Sequence, residues 1–419
     1  MTSSPLMIVV LVDALGWDRA GDTPFLRDEL PHRRPLDTVL GFSAGAIPAL
    51  LSGTWPSENG HWVMFHRDPA NSPFGLARAI RWLPERVRAS WRVRQWVKGR
   101  AQSRVRGYFD LYEVPWEDLA EFDVCERDPL FAPGALPGIG TIFDDAAARR
   151  VRTRTWDWRS DDGANERAFV AAARAAAGEE GQPADLLFYY TPAIDARMHA
   201  HGTQAPQVVD RLARLEVAIQ RALEGARASG REAWCYLTSD HGMSDVVEHV
   251  DVMARVQATG LAKGMDYHAF YDSTMARFWF RSPLASERVH AALAGLPGRF
   301  LTREDEERFG IHFPDRRYGD AIFLLDDARL LVPSYMGRTP VRAMHGYDPS
   351  TRASRALLLS NRPLPEGLSH VVDFRAFFGQ ELEARQAASA PERFVTAPAI
   401  TSPAGASTSP IGANTESVR

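Results

Sequence analysis

A chain of 419 residues with 45% apolar content can bury a large core, and its length exceeds one average domain without requiring two. A net charge of −4, from 49 basic and 53 acidic side chains, argues against a dedicated nucleic-acid binder. The only cysteines, Cys125 and Cys235, lie far apart, and Cys235 sits in an apolar run, so a buried free thiol is expected in place of a disulfide.

In chain order, the first apolar run is Leu6–Val12, ending in Asp13. It has no basic residue before it, only seven apolar positions and no small-residue cleavage signal after it. It therefore reads as a first buried parallel strand and not as a signal peptide. No later apolar run is long enough to span a bilayer, and a soluble cytoplasmic protein is expected. Next comes Gly41-Phe-Ser43-Ala-Gly-Ala46, followed by the helix-like Ile47–Leu51. Ser43 suits two compatible roles there: N-cap of the helix, or acceptor of a phosphoryl group beside backbone N–H groups.

Residues 63–140 break the rhythm. Arg78–Arg106 carries ten basic residues against Glu85, with Trp82, Trp91 and Trp96 interleaved. Asp110–Asp128 then carries eight acids against Arg127. This reads as an inserted cap over the strand ends. The two blocks either pair with each other or meet an anionic or membrane surface.

Beyond the cap, helical periodicity marks Ala164–Ala177 and Val208–Ala228. Apolar strand-like runs follow at Asp185–Tyr190, Ala233–Thr238, Met275–Phe280, Ala321–Leu325 and Ala356–Leu359. Strands alternating with helices predict an α/β fold, with a mixed, mostly parallel central sheet and helices on both faces. Ligands then bind at the carboxyl ends of the strands. A second insert, Val250–Tyr271 and onward to Arg317, is expected to contribute to the pocket. The resulting division is a catalytic domain of residues 1–62 and 141–386, a cap at 63–140 and a disordered Ala/Ser/Thr/Pro tail at 387–419.

Chemistry-bearing residues gather at the strand ends. The strand Ala233–Thr238 delivers Asp240 and His241, a carboxylate–imidazole pair that suits zinc or a similar ion, with Gly242 for the turn. Asp195 and His199 share one face if Asp195-Ala-Arg-Met-His199 is helical. His345 would complete a site with Asp195 and His199, and Asp13 a site with Asp240 and His241. There is no obvious Ser-His-Asp register or Gly-x-Ser-x-Gly elbow, so metal activation is the better account of a Ser43 nucleophile.

These residues resemble the alkaline phosphatase superfamily and, within it, the nucleotide pyrophosphatase/phosphodiesterase branch. The resemblance runs through Asp13, Ser43 to Ser52-Gly53-x-x-Pro56, Asp195-x-x-x-His199, Ser239-Asp-His-Gly-Met243, Arg317-Tyr-Gly-Asp320 and His345-Gly-Tyr347. It implies two divalent metal ions, usually Zn2+. One is held by Asp13, Asp240 and His241 with the Ser43 oxygen, the other by Asp195, His199 and His345. It also implies a covalent phosphoserine and cleavage of a phosphodiester or pyrophosphate. The expected substrate is a small or lipid-linked phosphate ester and not a nucleic-acid polymer.

Two departures keep a phosphomonoesterase or a phosphotransferase open. Ser43-Ala-Gly replaces the branch's usual threonine-centred run. Met64 stands where the branch places a phosphoryl-contacting asparagine, so Asn59, His61, His66 or Arg67 is expected to substitute. A sulfatase is disfavoured because the run after Ser43 lacks the required proline and arginine.

Overall fold

The structure, a computed structural model, describes residues 4–175 and 184–389. The expected tail beyond residue 389, and Ala176–Ala177 of the expected helix, lie outside the described residues. Residues 387–389 continue the last helix, Phe374–Ser389.

Six strands form the central sheet, in the order His32–Leu36, Ala356–Ser360, Ala233–Thr238, Leu6–Val12, Leu186–Thr191 and Thr153–Trp156. Leu6–Val12 pairs in parallel with both neighbours, and only Ala356–Ser360 runs against the rest. The apolar runs that predicted strands are thus strands within a residue or so. His32–Leu36 was not apparent from hydrophobicity, because His-Arg-Arg-Pro-Leu is an edge strand that buries only Leu36.

Leu6–Val12 is wholly buried, as a two-sided parallel strand requires. Leu6, Ile8, Val10 and Val12 pack on one side with residues of the helices Asp162–Arg174 and Pro206–Ala228. Met7, Val9 and Leu11 pack on the other with Ser43–Ser52, Ile142–Ala148 and Phe374–Ser389. Each such side chain contributes about 1.5–3 kcal/mol by leaving water. The strand is thus held by packing on both faces, and Asp13 follows it directly.

Met275–Phe280 and Ala321–Leu325 are strands of a separate four-stranded antiparallel sheet, with Tyr267–Tyr271 and Gly298–Phe300. Apolar residues between Phe65 and Val124 join that sheet in one hydrophobic cluster, whereas Leu130, Phe131 and Leu136 pack in the core of the central sheet. Phe122 and Phe65 pack on Phe270, and the short strands Phe65–Arg67 and Phe122–Val124 pair with each other.

Candidate active site

Both groups of ligand-bearing residues gather at one end of the central sheet. Asp13, Asp240 and His241 form a fully buried group; Asp195, His199 and His345 form a second, more open one, and within each group the ligand atoms lie within 4.8 Å of one another. His241 Nε2 is 3.1 Å from Asp240 Oδ2 and 3.7 Å from Asp13 Oδ1. His199 Nε2 is 3.0 Å and His345 Nε2 3.5 Å from Asp195 Oδ1. The His241 and His345 rings stack with centroids 3.9 Å apart, so the two groups abut.

Local sequence explains these positions. Ala193–His201 is a helix, which puts Asp195 and His199 on one face, while His201 is exposed at its end. After Ala233–Thr238, the backbone of Ser239 is held by Leu357. Gly242 then passes so close to Ala353 that a Cβ would lie 2.0 Å from its carbonyl oxygen. Ala14, at φ 61°, donates its N–H to Asp240 Oδ1 at 3.1 Å. Tyr190 Oη donates to Asp13 Oδ2 at 2.5 Å. Tyr190 ends an apolar run, so its sequence setting marks it as core and hides this polar role.

Ser43 is not an N-cap. Phe42 holds that position, and Ser43 is the first helical residue. Its Oγ lies 3.2 Å from Asp13 Oδ1 and 3.0 Å from His241 Nε2. Gly45 lets the helix meet Trp62, whose carbonyl oxygen would sit 2.3 Å from an added Cβ.

The donor set fits divalent cations. Three carboxylates converge here, and among the described residues no lysine or arginine pairs with them. Asp195 Oδ1 and Asp240 Oδ2 are buried with no donor but the adjoining imidazoles, and His345 Nδ1 is buried without a partner, a costly state unless a proton or a cation satisfies the carboxylates. His199 Nδ1 faces the Ala343 carbonyl at 2.8 Å and His241 Nδ1 the Gly242 carbonyl at 3.0 Å. Donation there leaves each Nε2 facing the carboxylates, where it can hold a proton or a cation.

The electrostatics agree. Burial, then the nearby Asp240 and Asp195, raise Asp13 well above the usual carboxylate range. Burial works against a charge on His241, but Asp240 and Asp13 override it and raise the imidazole to about 9. Burial, with His241 and His199 beside it, pushes His345 well down. The carboxylates thus draw positive charge to this floor, as a proton on His241 or as a bound cation in its place.

A cavity of about 460 Å³ opens over Ser43, Asp13, Asp195, His199 and His345. Met64 lines it, but the four residues expected to stand in for the missing asparagine do not. Asn59 closes its own turn, its amide donating to Thr54 O at 3.1 Å and its Oδ1 accepting from His61 N at 2.8 Å. His61 is buried, and burial lowers it to about 4. Arg67 donates to Glu121 at 3.1 Å and lines a different groove with Arg317. His66 converges with Asp68 and Asp123 in a third group, but Asp123 is ion-paired with Arg127, and burial and then Arg317 hold His66 down at about 4. That surrounding is poor for a cation.

The profile of the type I phosphodiesterase/nucleotide pyrophosphatase family matches residues 43–348. The chain belongs to that family. It is accordingly a hydrolase of phosphoric ester or anhydride bonds. Similar solved structures include human ectonucleotide pyrophosphatase/phosphodiesterase 5, at 11% identity and TM-score 0.60, covering 90% of this chain and 95% of that one. The murine protein aligns at 13% identity and TM-score 0.61 with the same coverage. An inactive murine form in complex with AMP aligns at 13% identity and TM-score 0.60, covering 91% and 95%. At such identities the likeness is one of fold. Comparison with curated proteins found no match.

Proposed function

We propose that this family member cleaves a phosphodiester or pyrophosphate through a covalent phosphoserine on Ser43. Two divalent ions, zinc by their donors, would be held by Asp13, Asp240 and His241 and by Asp195, His199 and His345. The observation that carries this reading is Ser43 Oγ, seated 3.0 Å from His241 Nε2 and 3.2 Å from Asp13 Oδ1 at the cavity floor. Bound cations would supply charge stabilisation to the phosphoryl oxygens and ease ionisation of a hydroxyl.

The chain's own residues do the rest. Asp13, itself oriented by Tyr190, and His241 aim Ser43 Oγ. That oxygen forms the bond to phosphorus as the leaving oxygen departs, and water then cleaves the serine ester and restores the hydroxyl. The AMP complex of the murine relative supports a small phosphate-ester substrate. Cys125 and Cys235, buried and unpaired, support a reducing compartment such as the cytoplasm. Exposed tryptophans and arginines on the cap support contact with a membrane surface; among the described residues no helix is long and apolar enough to cross one.

The test is turnover of bis-p-nitrophenyl phosphate against p-nitrophenyl phosphate, with acid-quench mass spectrometry for phosphate on Ser43. Ser43→Ala should lose on the order of 10³-fold or more in kcat/KM with an unchanged Tm. Full activity in that variant would sink the covalent reading. A strong monoester preference would favour the phosphomonoesterase that Ser43-Ala-Gly suggests, and absence of label from ¹⁸O-water in the phosphate product would favour a phosphotransferase.

A further inference from the structure

The cavity over Ser43 carries charge at its floor and almost nowhere else. Neither lysine nor arginine is among its lining residues. Two further acids line it. Asp272 is spoken for, with Arg277 Nε 2.7 Å away. Glu126, raised by burial to about 8, is mostly an uncharged acid at neutral pH. The walls above are apolar, with Ile47, Leu130, Phe131, Leu331, Val332 and Met336 among them.

This lining is a poor match to a nucleotide with several phosphates, because each anion beyond the reacting phosphoryl group would face hydrocarbon without a cation. It is a good match to one phosphoryl group joined to hydrocarbon. The volume, about 460 Å³, lies within the range that encloses most of a small ligand. Outward, the apolar wall gives way near Met336 to a groove also lined by Asp110, Glu113 and Arg338, which bounds the length of chain it can cover. Tyr112, Met336, Gly337 and Thr339 belong both to the cavity and to an outer groove of about 420 Å³ beside Arg94 and Lys98. That groove adjoins the helix Trp91–Ala101 of the cap.

We propose that the substrate is a phosphodiester bearing a single alkyl or acyl chain, with its phosphoryl group over Ser43 and its chain along the apolar wall from Ile47 and Phe131 toward Met336. This rests on the hydrolase reading above and adds the class of group esterified to the phosphate. Selectivity then comes from hydrocarbon burial, which scales with chain length.

Two measurements separate this inference from the reading beneath it. The first is calorimetric binding to Ser43→Ala protein of methyl-, butyl- and decylphosphonate and of AMP. Affinity should rise about two- to fourfold per methylene until the wall is filled, with decylphosphonate at least tenfold tighter than AMP. Equal affinity along the series, or tighter AMP binding, would overturn the proposal. Met336→Arg should weaken decylphosphonate at least tenfold and leave methylphosphonate unchanged; equal loss on both would also count against it. The second is turnover by the native protein of p-nitrophenyl butyl and decyl phosphodiesters and of the p-nitrophenyl ester of thymidine monophosphate. A lower KM for the decyl ester supports the proposal, and preference for the thymidine ester overturns it. Failure to cleave any of them defeats the hydrolase reading, while the binding series still decides the chain.

Discussion

Glu126 shows how a single buried group couples the cavity to pH. Its Oε1 accepts from Tyr108 N at 2.8 Å, and Gly107 has no Cβ because Glu126 occupies that space. Burial raises its carboxyl from 4.5 to about 8. Between those values the folded state keeps a proton that the unfolded chain has lost, so stability falls as pH rises through that window. The slope approaches about 1.4 kcal/mol per pH unit. Glu126→Gln should remove it, so the Tm of the variant relative to the native protein should climb from pH 5 to pH 8; a difference independent of pH would refute the assignment. At Gly242 the constraint is steric. Gly242→Ala should cost about 2–4 kcal/mol and be visible as a lower urea midpoint, because the Ala353 carbonyl cannot retreat without moving the loop that carries His241. The six proposed ligands were legible from sequence because each follows a strand or shares a helical turn with another. Asn59, His61 and Arg67 were misleading. A polar side chain near a site reads as a ligand contact, whereas Asn59 is consumed by its own turn and Arg67 by Glu121.

The cap is best understood through one helix, Trp91–Ala101. Val97 and Ala101 are buried and Val93 is partly so, which sets an inward i, i+4, i+8 face. The outward face carries Trp91, Arg92, Trp96 and Arg100. Trp91 is 69% and Trp96 55% exposed, and Trp82 before them is 78% exposed. A solvated face would be polar throughout, so exposed tryptophans among arginines favour a headgroup layer. Vesicles of phosphatidylcholine with 30% phosphatidylserine should therefore bind the protein in a flotation assay, and Trp91→Ser with Trp96→Ser should reduce binding at least fivefold. Equal flotation of the double variant would return this face to plain solvent. The charge pattern alone left pairing and surface contact open; pairing across the two blocks is observed, and surface contact is the outcome the flotation assay tests. Lys98 meets Asp110 at 2.9 Å and Arg106 pairs with Asp128, across the two blocks. Arg94 is turned inward, donating to the Val114 carbonyl and lying over Trp116, so it is a packing residue and not part of the charged face. Only a helix of known phase distinguishes Arg92 from Arg94.

Across the whole molecule, the site is where three parallel strands end, and its unpaired carboxylates link metal occupancy to stability. Chelation should lower Tm by about 5–10 °C, and re-addition of zinc should restore it; a Tm indifferent to chelator would argue against both ion sites. The central sheet was readable because its buried strands are continuous apolar runs. Membership of a particular sheet was not, since Met275–Phe280 and Ala321–Leu325 have the same character yet pair antiparallel in the second sheet. Periodicity records that a strand is buried and says nothing of its neighbours. Thr153–Trp156, at the other edge and only partly buried, carries as little hydrophobic signal as His32–Leu36.

The pairing of Leu6–Val12 also has a consequence for biosynthesis. Its partners are residues 186–191 and 233–238, so the most apolar strand of the sheet leaves the ribosome long before either neighbour exists. Until then its open edges are free to pair with other chains, an exposure that chaperone cover would limit. Asp13 meets Asp240 and His241 only after that wait, so capture of the proposed metal ions would be a late event in the life of each new chain.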